Sequence, residues 1–278
     1  MQQDEIKTAV RQGYAKIANT GGSCCGPTTS CCGPQKTLEK ISQDIGYRAE
    51  DLQSVPEGAN LGLGCGNPIA LSSLKEGETV VDLGSGAGFD CFLAAQAVGK
   101  NGKVIGVDMT SEMLDKARGN QRKGDFPQVE FRLGEIENLP VADNTADIVI
   151  SNCVINLSPS KERVFAEAFR ILKPGGRIMV SDIVLQEELP LIIQKSLSAY
   201  IGCVSGAVQQ EGYLRTIKEA GFETIKVLEE KRFPLGDLLS HPAAKEAKVD
   251  QETLKTTLEK LSTSITSIKV SALKPPAA

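Results

Sequence analysis

The stretch VVDLGSGAG, residues 80–88, decides the fold class. Its apolar, β-branched start is typical of a buried strand, and its glycines predict a turn before the helical pattern of residues 89–98. Glycine lets a ligand approach the backbone N–H groups that the start of a helix leaves free. Asp108 ends the next strand-like run, twenty residues after Gly88, where its carboxylate can accept hydrogen bonds from both hydroxyls of a ribose. The stretch therefore predicts a nucleoside site.

Short apolar runs alternate with helical patterns from residue 78 onward, which is typical of a parallel sheet covered by helices. The runs that predict its five parallel strands are residues 79–83, 103–108, 128–133, 146–151 and 177–182. Further strands are predicted at residues 222–230 and 264–273, and a helix within residues 1–20. LKPGG, residues 172–176, predicts a turn before strand five. The predicted fold class is α/β, a Rossmann-like sheet with helices on both faces.

The same pattern divides the chain into four regions. Residues 75–185 form a core that carries the glycine turn and the five parallel strands. Residues 1–74 precede it with a helix, a cysteine-rich arm and a short segment that leads to the first strand. Residues 186–230 follow with the glycine-rich loop GCVSGA, and residues 231–278 form a C-terminal extension with the last strand.

Composition argues against two classes of partner. Of 278 residues, 35 are acidic and 31 basic, which gives a net charge near −4, and 41% are apolar. This balance is typical of globular proteins and unlike that of proteins that bind nucleic acid or anionic membranes. No run approaches the ~20 apolar residues of a membrane span, and the start MQQDEIKTAVRQ lacks the apolar segment of a signal peptide. We therefore expect a cytoplasmic protein and, by default, a monomer.

Eight cysteines and a single histidine, His241, limit the chemistry of the chain. The cysteines of a cytoplasmic protein should be mostly thiols, and one imidazole excludes a histidine-rich metal centre. Cys65, Cys153 and Cys203 lie in the loop-like contexts GCGNP, SNCVIN and IGCVSG. Three thiolates around one centre suit trivalent arsenic or a similar thiophile better than four-coordinate zinc. Cys91, within an apolar helical pattern, is expected to be a buried core thiol.

The glycine turn resembles the first motif, D-x-G-x-G-x-G, of the class I S-adenosylmethionine-dependent methyltransferases. GEIENLP, residues 134–140, is similar to the family's adenine-side segment, and LKPGGR, residues 172–177, to its turn into strand five. The resemblance covers roughly residues 75–185 and implies S-adenosylmethionine as the methyl donor. The cofactor contacts that it implies are Asp82, Gly84, Ser85, Gly86, Gly88, Asp108, Met109, Glu135, Ile136 and Asn152.

Six motifs together resemble the arsenite S-adenosylmethionine methyltransferases over about residues 5–230. They are LGLGCGNP, DLGSGAGFDC, VDMTSEML, SNCVINLSP, SDIVL and GCVSGA. In that family, cysteines of the matching motifs bind arsenite and become oxidised as methylation proceeds. The resemblance therefore assigns the catalytic and As(III)-binding roles to Cys65, Cys153 and Cys203, with arsenite or its thiol conjugates as substrate.

Family members also carry an upstream cysteine that relays electrons from a thioredoxin- or glutathione-type reductant. The matching thiols lie in residues 19–37, a segment of loop composition in which CCGP occurs twice, and we expect a mobile arm there. The candidates are Cys24, Cys25, Cys31 and Cys32. We favour Cys32 as the relay because it is nearest to Cys65 in sequence. The arm would also capture arsenite for the inner thiols; the alternative is a zinc knot, although two adjacent pairs are poorer tetrahedral ligands than C-x-x-C spacing.

Leu63 departs from the family pattern, because many eukaryotic relatives have a tyrosine there that helps to enclose the cofactor. Tyr47 is a candidate substitute, and the alternative is that it is an exposed tyrosine at the start of a helix. Two other functions stay open: methylation of a quinol- or sterol-type acceptor with structural cysteines, and sequestration of arsenic without catalysis. Replacement of Cys153 by Ser would leave the first intact, and the complete glycine turn argues against the second.

Overall fold

Seven strands form one sheet in the computed structural model, which describes residues 3–20, 38–64, 66, 71, 73–189, 205–232 and 264–277. The strands are β1 Thr79–Leu83, β2 Lys103–Asp108, β3 Val129–Leu133, β4 Ala146–Asn152, β5 Leu172–Leu185, β6 Glu223–Arg232 and β7 Ile265–Leu273. Their order across the sheet is β3-β2-β1-β4-β5-β7-β6. Strands β1 to β5 run parallel, and β7 is antiparallel to β5 and β6. The predicted α/β, Rossmann-like fold is confirmed.

Helices cover both faces of this sheet. They are α1 Gln3–Thr20, α2 Leu38–Asp44, α3 Ala49–Gln53, α4 Phe89–Val98, α5 Ser111–Gln121, α6 Lys161–Ile171 and α7 Gln210–Glu219, with a 3₁₀ turn at Ile155–Leu157. Successive residues of a strand point to opposite faces, so Val81 belongs to the apolar cluster with α6 and α7, and Val80 to the cluster with α4 and α5. Both valines are fully buried, which explains why the strands are continuous apolar runs. Of the helices in the described residues, none is both long and apolar enough to cross a lipid bilayer.

The sheet has a switch point between β1 and β4. Strands β2 and β3 lie on one side of β1, and β4 and β5 lie on the other. The connections that leave the carboxyl ends of β1 and β4 therefore diverge and open a crevice, where open α/β sheets bind ligands. Because Leu83 pairs with Ser151, the glycine turn after β1 lies beside Asn152 and Cys153.

Strand β5 differs from its prediction. The turn expected at residues 172–176 is an irregularity within the strand, where the register between β4 and β5 shifts. Gly175, with φ of 80°, donates its N–H to the Lys274 carbonyl at 3.0 Å, and Lys274 donates to the Gly176 carbonyl at 2.8 Å. Pairing with β7 carries β5 on to Leu185. Pairing of Leu172 with Ala146, together with the bonds to Lys274, extends the strand back to Leu172, beyond the predicted residues 177–182.

Helix α1, which the sequence predicted, lies over the carboxyl ends of the strands. Its apolar face places the fully buried Val10 in a cluster with Cys153. On the same helix, Lys7 Nζ lies 2.7 Å from a Glu135 carboxylate oxygen and 3.3 Å from one of Glu137. These ion pairs tie α1 to the segment that follows β3.

Candidate active site

A cavity lies at the carboxyl ends of β1, β2 and β4, with about 1090 Å³ of space that includes a part open to solvent. The glycine turn after β1 and the end of β2 form two of its walls, and the turn after β4 forms a third. Helix α1 contributes Lys7, Val10 and Tyr14 to the lining. The N-terminal helix and the parallel core therefore enclose one site.

The glycine turn is open toward this cavity. Gly86 has a positive φ of 52°, and a Cβ added to it would meet no heavy atom within 4 Å. Gly84, with φ of 71°, packs so closely on the turn after β4 that a Cβ would lie 2.3 Å from Val154. Between them, the Ser85 hydroxyl is buried without a hydrogen-bond partner among the described residues. The turn therefore offers both space and an unused polar group to a ligand.

Asp108 presents a fixed carboxylate at the end of β2. Its Oδ2 accepts the N–H of Gly86 at 2.9 Å, and its Oδ1 accepts the N–H of Thr110 at 2.8 Å. Burial raises the pKa of this carboxyl, and the two backbone donors oppose that shift. A carboxylate held beside a glycine turn in this way fits the ribose of a nucleoside.

Two further carboxyls, Asp82 and Asp90, line the same cavity and are almost fully buried. The pKa of Asp82 is raised well above its usual value, first by burial and then by the negative charges of Asp90 and Asp108. The Cys91 thiol donates to Asp82 Oδ2 at 3.2 Å and partly offsets this shift. A positively charged ligand would stabilise the ionised forms of these carboxyls, so the cavity suits a nucleoside that carries a cation.

Comparisons with known proteins agree with this geometry. The family described as a methyltransferase domain matches residues 74–221. The curated arsenite methyltransferase of Halobacterium salinarum is 50% identical over 230 residues, which cover 81% of this chain and 59% of that protein. The arsenite methyltransferase of Aquipseudomonas alcaligenes is 38% identical, with coverages of 82% and 65%. The crystal structure of an arsenic(III) S-adenosylmethionine methyltransferase from Chlamydomonas reinhardtii is 30% identical, with a TM-score of 0.63 and coverages of 87% and 75%.

The chain belongs to the arsenite methyltransferase family. This confirms the resemblance inferred from the six motifs. The chain spans 59% and 65% of the lengths of the two curated relatives described above.

Most of the cofactor contacts predicted for an arsenite methyltransferase come together in the cavity. Those that line it are Asp82, Gly84, Ser85, Gly86, Asp108, Met109, Ile136 and Asn152. Gly88 and Glu135 are not among its lining residues. A Cβ at Gly88 would lie 2.8 Å from the rings of Phe131 and Phe92, so this glycine permits close packing. Glu135 instead forms ion pairs with α1.

Cys153 is the predicted arsenic-binding thiol that the structure describes. It lines the cavity, is 5% exposed and has a positive φ of 59°. A non-glycine residue in this conformation is strained, and such strain is concentrated at functional sites. Cys153 is disulfide-bonded. Cys91 is a fully buried free thiol, as predicted.

The other cysteines that the sequence singled out lie outside the described residues, as does His241. These cysteines are Cys65, Cys203 and, in the arm, Cys24, Cys25, Cys31 and Cys32. Their described neighbours are informative. A Cβ at Gly64 would lie 2.6 Å from Asn152 Oδ1, and Leu189 and Ala207 pack in the same cluster as Cys153.

Tyr47 corrects one interpretation of the sequence. It is 4% exposed, so it is not an exposed tyrosine at the start of a helix. Its hydroxyl donates to Asp90 Oδ1 at 2.6 Å, and its ring meets Phe89 edge-on at 4.9 Å. Tyr47 is not among the residues that line the cavity.

Sequence reasoning missed Asp90 and the residues of α1 that line the cavity. A signal for Asp90 was available, because an acidic residue stands in the otherwise apolar pattern FDCFLAAQAV. A buried carboxylate in such a helix needs partners, which indicates a site. For α1 the periodicity predicted an apolar face but gave no indication of what that face covers.

Proposed function

We propose that this protein transfers a methyl group from S-adenosylmethionine to trivalent arsenic held by cysteine thiolates, which gives methylated arsenicals and detoxifies arsenite. The observation that carries the proposal is the location of Cys153, on a strained turn in the wall of the cavity that also holds Gly86 and Asp108. The names of the curated relatives support the same substrate.

The residues of the cavity fit S-adenosylmethionine. In the proposal, Asp108 accepts hydrogen bonds from the two ribose hydroxyls, and the open face of Gly86 admits the nucleoside. Asp82 and Asp90 provide negative charge for the ammonium and sulfonium groups. The Ser85 hydroxyl, buried without a partner among the described residues, supplies a further polar contact.

Cys65, Cys153 and Cys203 would hold the arsenic as three thiolates. Two observations on neighbouring residues support this arrangement. Gly64, which is bonded to Cys65, contacts the side chain of Asn152, which is bonded to Cys153. Ala207, four residues after Cys203, lies in the cluster of Cys153, and four residues span at most ~14 Å. In the proposed organisation, residues 75–185 bind the methyl donor and residues 186–230 complete the arsenic site.

S-adenosylmethionine, when bound, supplies a methyl group on a positively charged sulfur. Arsenic(III) bound by thiolates keeps a lone pair, which attacks the methyl carbon in line. An As–C bond forms, the S–C bond breaks, and the electron pair of that bond stays on the donor sulfur. The cavity has to orient the two reactants and exclude water, and it does not need a general base. This fits a chain with one histidine.

The cycle also needs electrons, because methylation oxidises the arsenic from the trivalent to the pentavalent state. Two thiolates return the electron pair by forming a disulfide, and the arsenic leaves as a trivalent methylarsenical. The disulfide at Cys153 supports a thiol that cycles in this way. A thioredoxin- or glutathione-type reductant would restore the thiolates through one of the upstream cysteines, of which we favour Cys32.

The test is to incubate the purified protein with arsenite, S-adenosylmethionine and a thiol reductant, and to separate the arsenic species by chromatography with elemental detection. We expect methylated arsenic from the wild type and at least a ~100-fold lower yield from Cys153→Ser, since the loss of one thiolate weakens arsenic binding and removes an electron donor. Binding of S-adenosylmethionine, measured by calorimetry, should persist in the variant and shows that its cavity is intact. Equal methylation by both proteins would contradict the role of Cys153, and no methylated arsenic from a wild type that binds the donor would favour an organic acceptor.

A further inference from the structure

Asp90 joins two segments of the chain that lie far apart in sequence. It belongs to the first turn of α4 and is almost fully buried. Its Oδ1 accepts the hydroxyl of Tyr47 at 2.6 Å, and its Oδ2 accepts the side-chain amide of Asn152 at 3.0 Å. The same amide nitrogen of Asn152 also donates to the Tyr47 hydroxyl at 3.0 Å. The three side chains therefore form a closed triangle of hydrogen bonds.

One member of this triangle, Asn152, lies next to a cysteine. Asn152 ends β4 and directly precedes Cys153. Its side chain packs so closely against Gly64 that a Cβ added there would lie 2.6 Å from Asn152 Oδ1. Gly64 directly precedes Cys65. Thus the Asn152 side chain packs between the two segments that lead into these cysteines.

A second member of the triangle, Tyr47, is close in sequence to a residue that contacts Gly66, the residue after Cys65. Gly66 packs on the backbone of Ile45, since a Cβ at Gly66 would lie 2.0 Å from the Ile45 carbonyl oxygen. Ile45 is two residues before Tyr47, whose hydroxyl is bound to Asp90. Both glycines that flank Cys65 therefore pack against residues at or near the hydrogen-bond partners of Asp90. Gly64 packs against Asn152, and Gly66 packs against Ile45, two residues before Tyr47.

We propose that Tyr47 is a positioning residue, which acts through Asp90 and Asn152 on the spacing between Cys153 and Gly64, the residue that precedes Cys65. This inference rests on the proposed function, because it takes these two thiols as ligands of one arsenic. Arsenic–sulfur bonding tolerates little change in the distance between the ligands, so loosening of the triangle reduces affinity for arsenite. Affinity for the methyl donor, whose ribose is held by Asp108, changes little.

Tyr47→Phe is the sharpest variant. Tyr47 does not line the cavity, and its hydroxyl bonds two residues that do, Asp90 and Asn152. Phenylalanine keeps the edge-on ring contact with Phe89 and removes the hydroxyl, and with it the hydrogen bonds to Asp90 and Asn152. Tyr213→Phe is a matched control, since Tyr213 is fully buried, donates its hydroxyl to the buried Asp182 and lies outside the cavity lining.

The experiment measures binding of arsenite to the reduced proteins by equilibrium dialysis, binding of S-adenosylmethionine by calorimetry, and the KM for each substrate. We expect Tyr47→Phe to raise the Kd and KM for arsenite at least about fivefold, with values for S-adenosylmethionine within about twofold of the wild type. Tyr213→Phe should lower stability by a similar amount and change neither affinity. If Tyr47→Phe does not fold, Asp90→Asn, which exchanges an acceptor for a donor at constant size, carries the same expectation for arsenite, whereas its affinity for S-adenosylmethionine should also fall because Asp90 lines the cavity.

Unchanged arsenite binding in a folded Tyr47→Phe would overturn the inference, as would an equal loss in Tyr213→Phe. A wild type that binds arsenite without methylating it would refute the proposed function alone, and the dialysis would still decide the inference. A wild type that does not bind arsenite would overturn both.

Discussion

At the residue scale, buried carboxyls differ in whether a ligand can reach them. Asp82, Asp90 and Asp108 border the cavity, where a bound cation would stabilise their ionised forms. Asp182 lies outside the cavity lining and has only protein partners to stabilise its charge: the amide of Asn156 at 2.7 Å, its neighbour's N–H at 3.0 Å and the hydroxyl of Tyr213 at 3.1 Å. Burial nevertheless raises its pKa to about 7. Asp182 therefore affects stability rather than ligand binding.

The raised pKa of Asp182 predicts that the free energy of unfolding depends on pH. Because the folded pKa is about 7 and the usual value is 3.8, the folded state holds this proton at pH values where the unfolded chain has lost it. The contribution of Asp182 to stability is therefore greatest below pH ~4 and is lost as pH rises toward 7. We expect Asp182→Asn to flatten the fall in the free energy of unfolding between about pH 4 and 7, measured by chemical denaturation.

Lys161 is the charged group that opposes the shift, by favouring the ionised form. Asp115→Asn is a suitable control, because it removes a carboxyl whose side chain is 79% exposed on α5. If Asp182→Asn and wild type had curves of the same slope, ionisation of Asp182 would not limit stability in this range.

At the element scale, α1 has two roles, one apolar and one electrostatic. Val10 packs beside Cys153, and Tyr14 lines the cavity. Lys7, only 19% exposed, pairs with Glu135 and Glu137 and so holds the helix across the site. These pairs therefore hold in place a helix that forms part of the cavity wall.

We expect Lys7→Met to raise the dissociation rate of S-adenosylmethionine about two- to fivefold, because a partly exposed ion pair contributes roughly 0.5–1 kcal/mol. Methionine keeps the length and apolar stem of lysine and removes the charge. Stopped-flow displacement measures the rate, and added salt should reduce the difference from wild type. Lys100→Met, an exposed lysine with no contact to α1, should behave as wild type. A rate that Lys7→Met left unchanged would show that the apolar face alone holds the helix.

At the scale of the whole molecule, the last strand joins regions that are distant in sequence. β7 lies between β5 and β6, pairs with both, and buries Ile265, Ile268 and Val270. Beyond it, Lys274 Nζ donates to the carbonyls of Phe169 and Leu172 at 2.8 and 2.7 Å, which ties the chain to the end of α6. The C-terminal strand is thus part of the same core as the ligand site.

Removal of residues 264–278 should therefore abolish cooperative unfolding, since it exposes the edges of β5 and β6 and part of the core. Removal of residues 276–278 alone should leave the transition close to that of the wild type. Thermal unfolding followed by circular dichroism distinguishes these outcomes. A sharp transition in the longer deletion would show that the sheet is complete without β7.

The sequence by itself determined the local features of this protein. Strand and helix periodicities, the glycine turn and Asp108 follow from steric and hydrophobic rules that operate over a few residues, and the structure agrees with them. Because these rules are local, the predicted strand bounds agree with the structure where a strand ends in a turn. The prediction was wrong at the start of β5, where Leu172 pairs with Ala146 of β4 and the glycines of the expected turn bond to Lys274, just beyond β7.

Only the tertiary structure decided which distant residues meet. Tyr47 and Asp90 are 43 positions apart, and Asp90 and Asn152 are 62 apart, so no periodicity relates them. The predicted alternative of an exposed Tyr47 was wrong because burial depends on what packs against it, here Phe89 and the α4 carboxylate. The position of α1 over the cavity has the same cause, since an amphipathic pattern identifies an apolar face and the rest of the fold selects its partner.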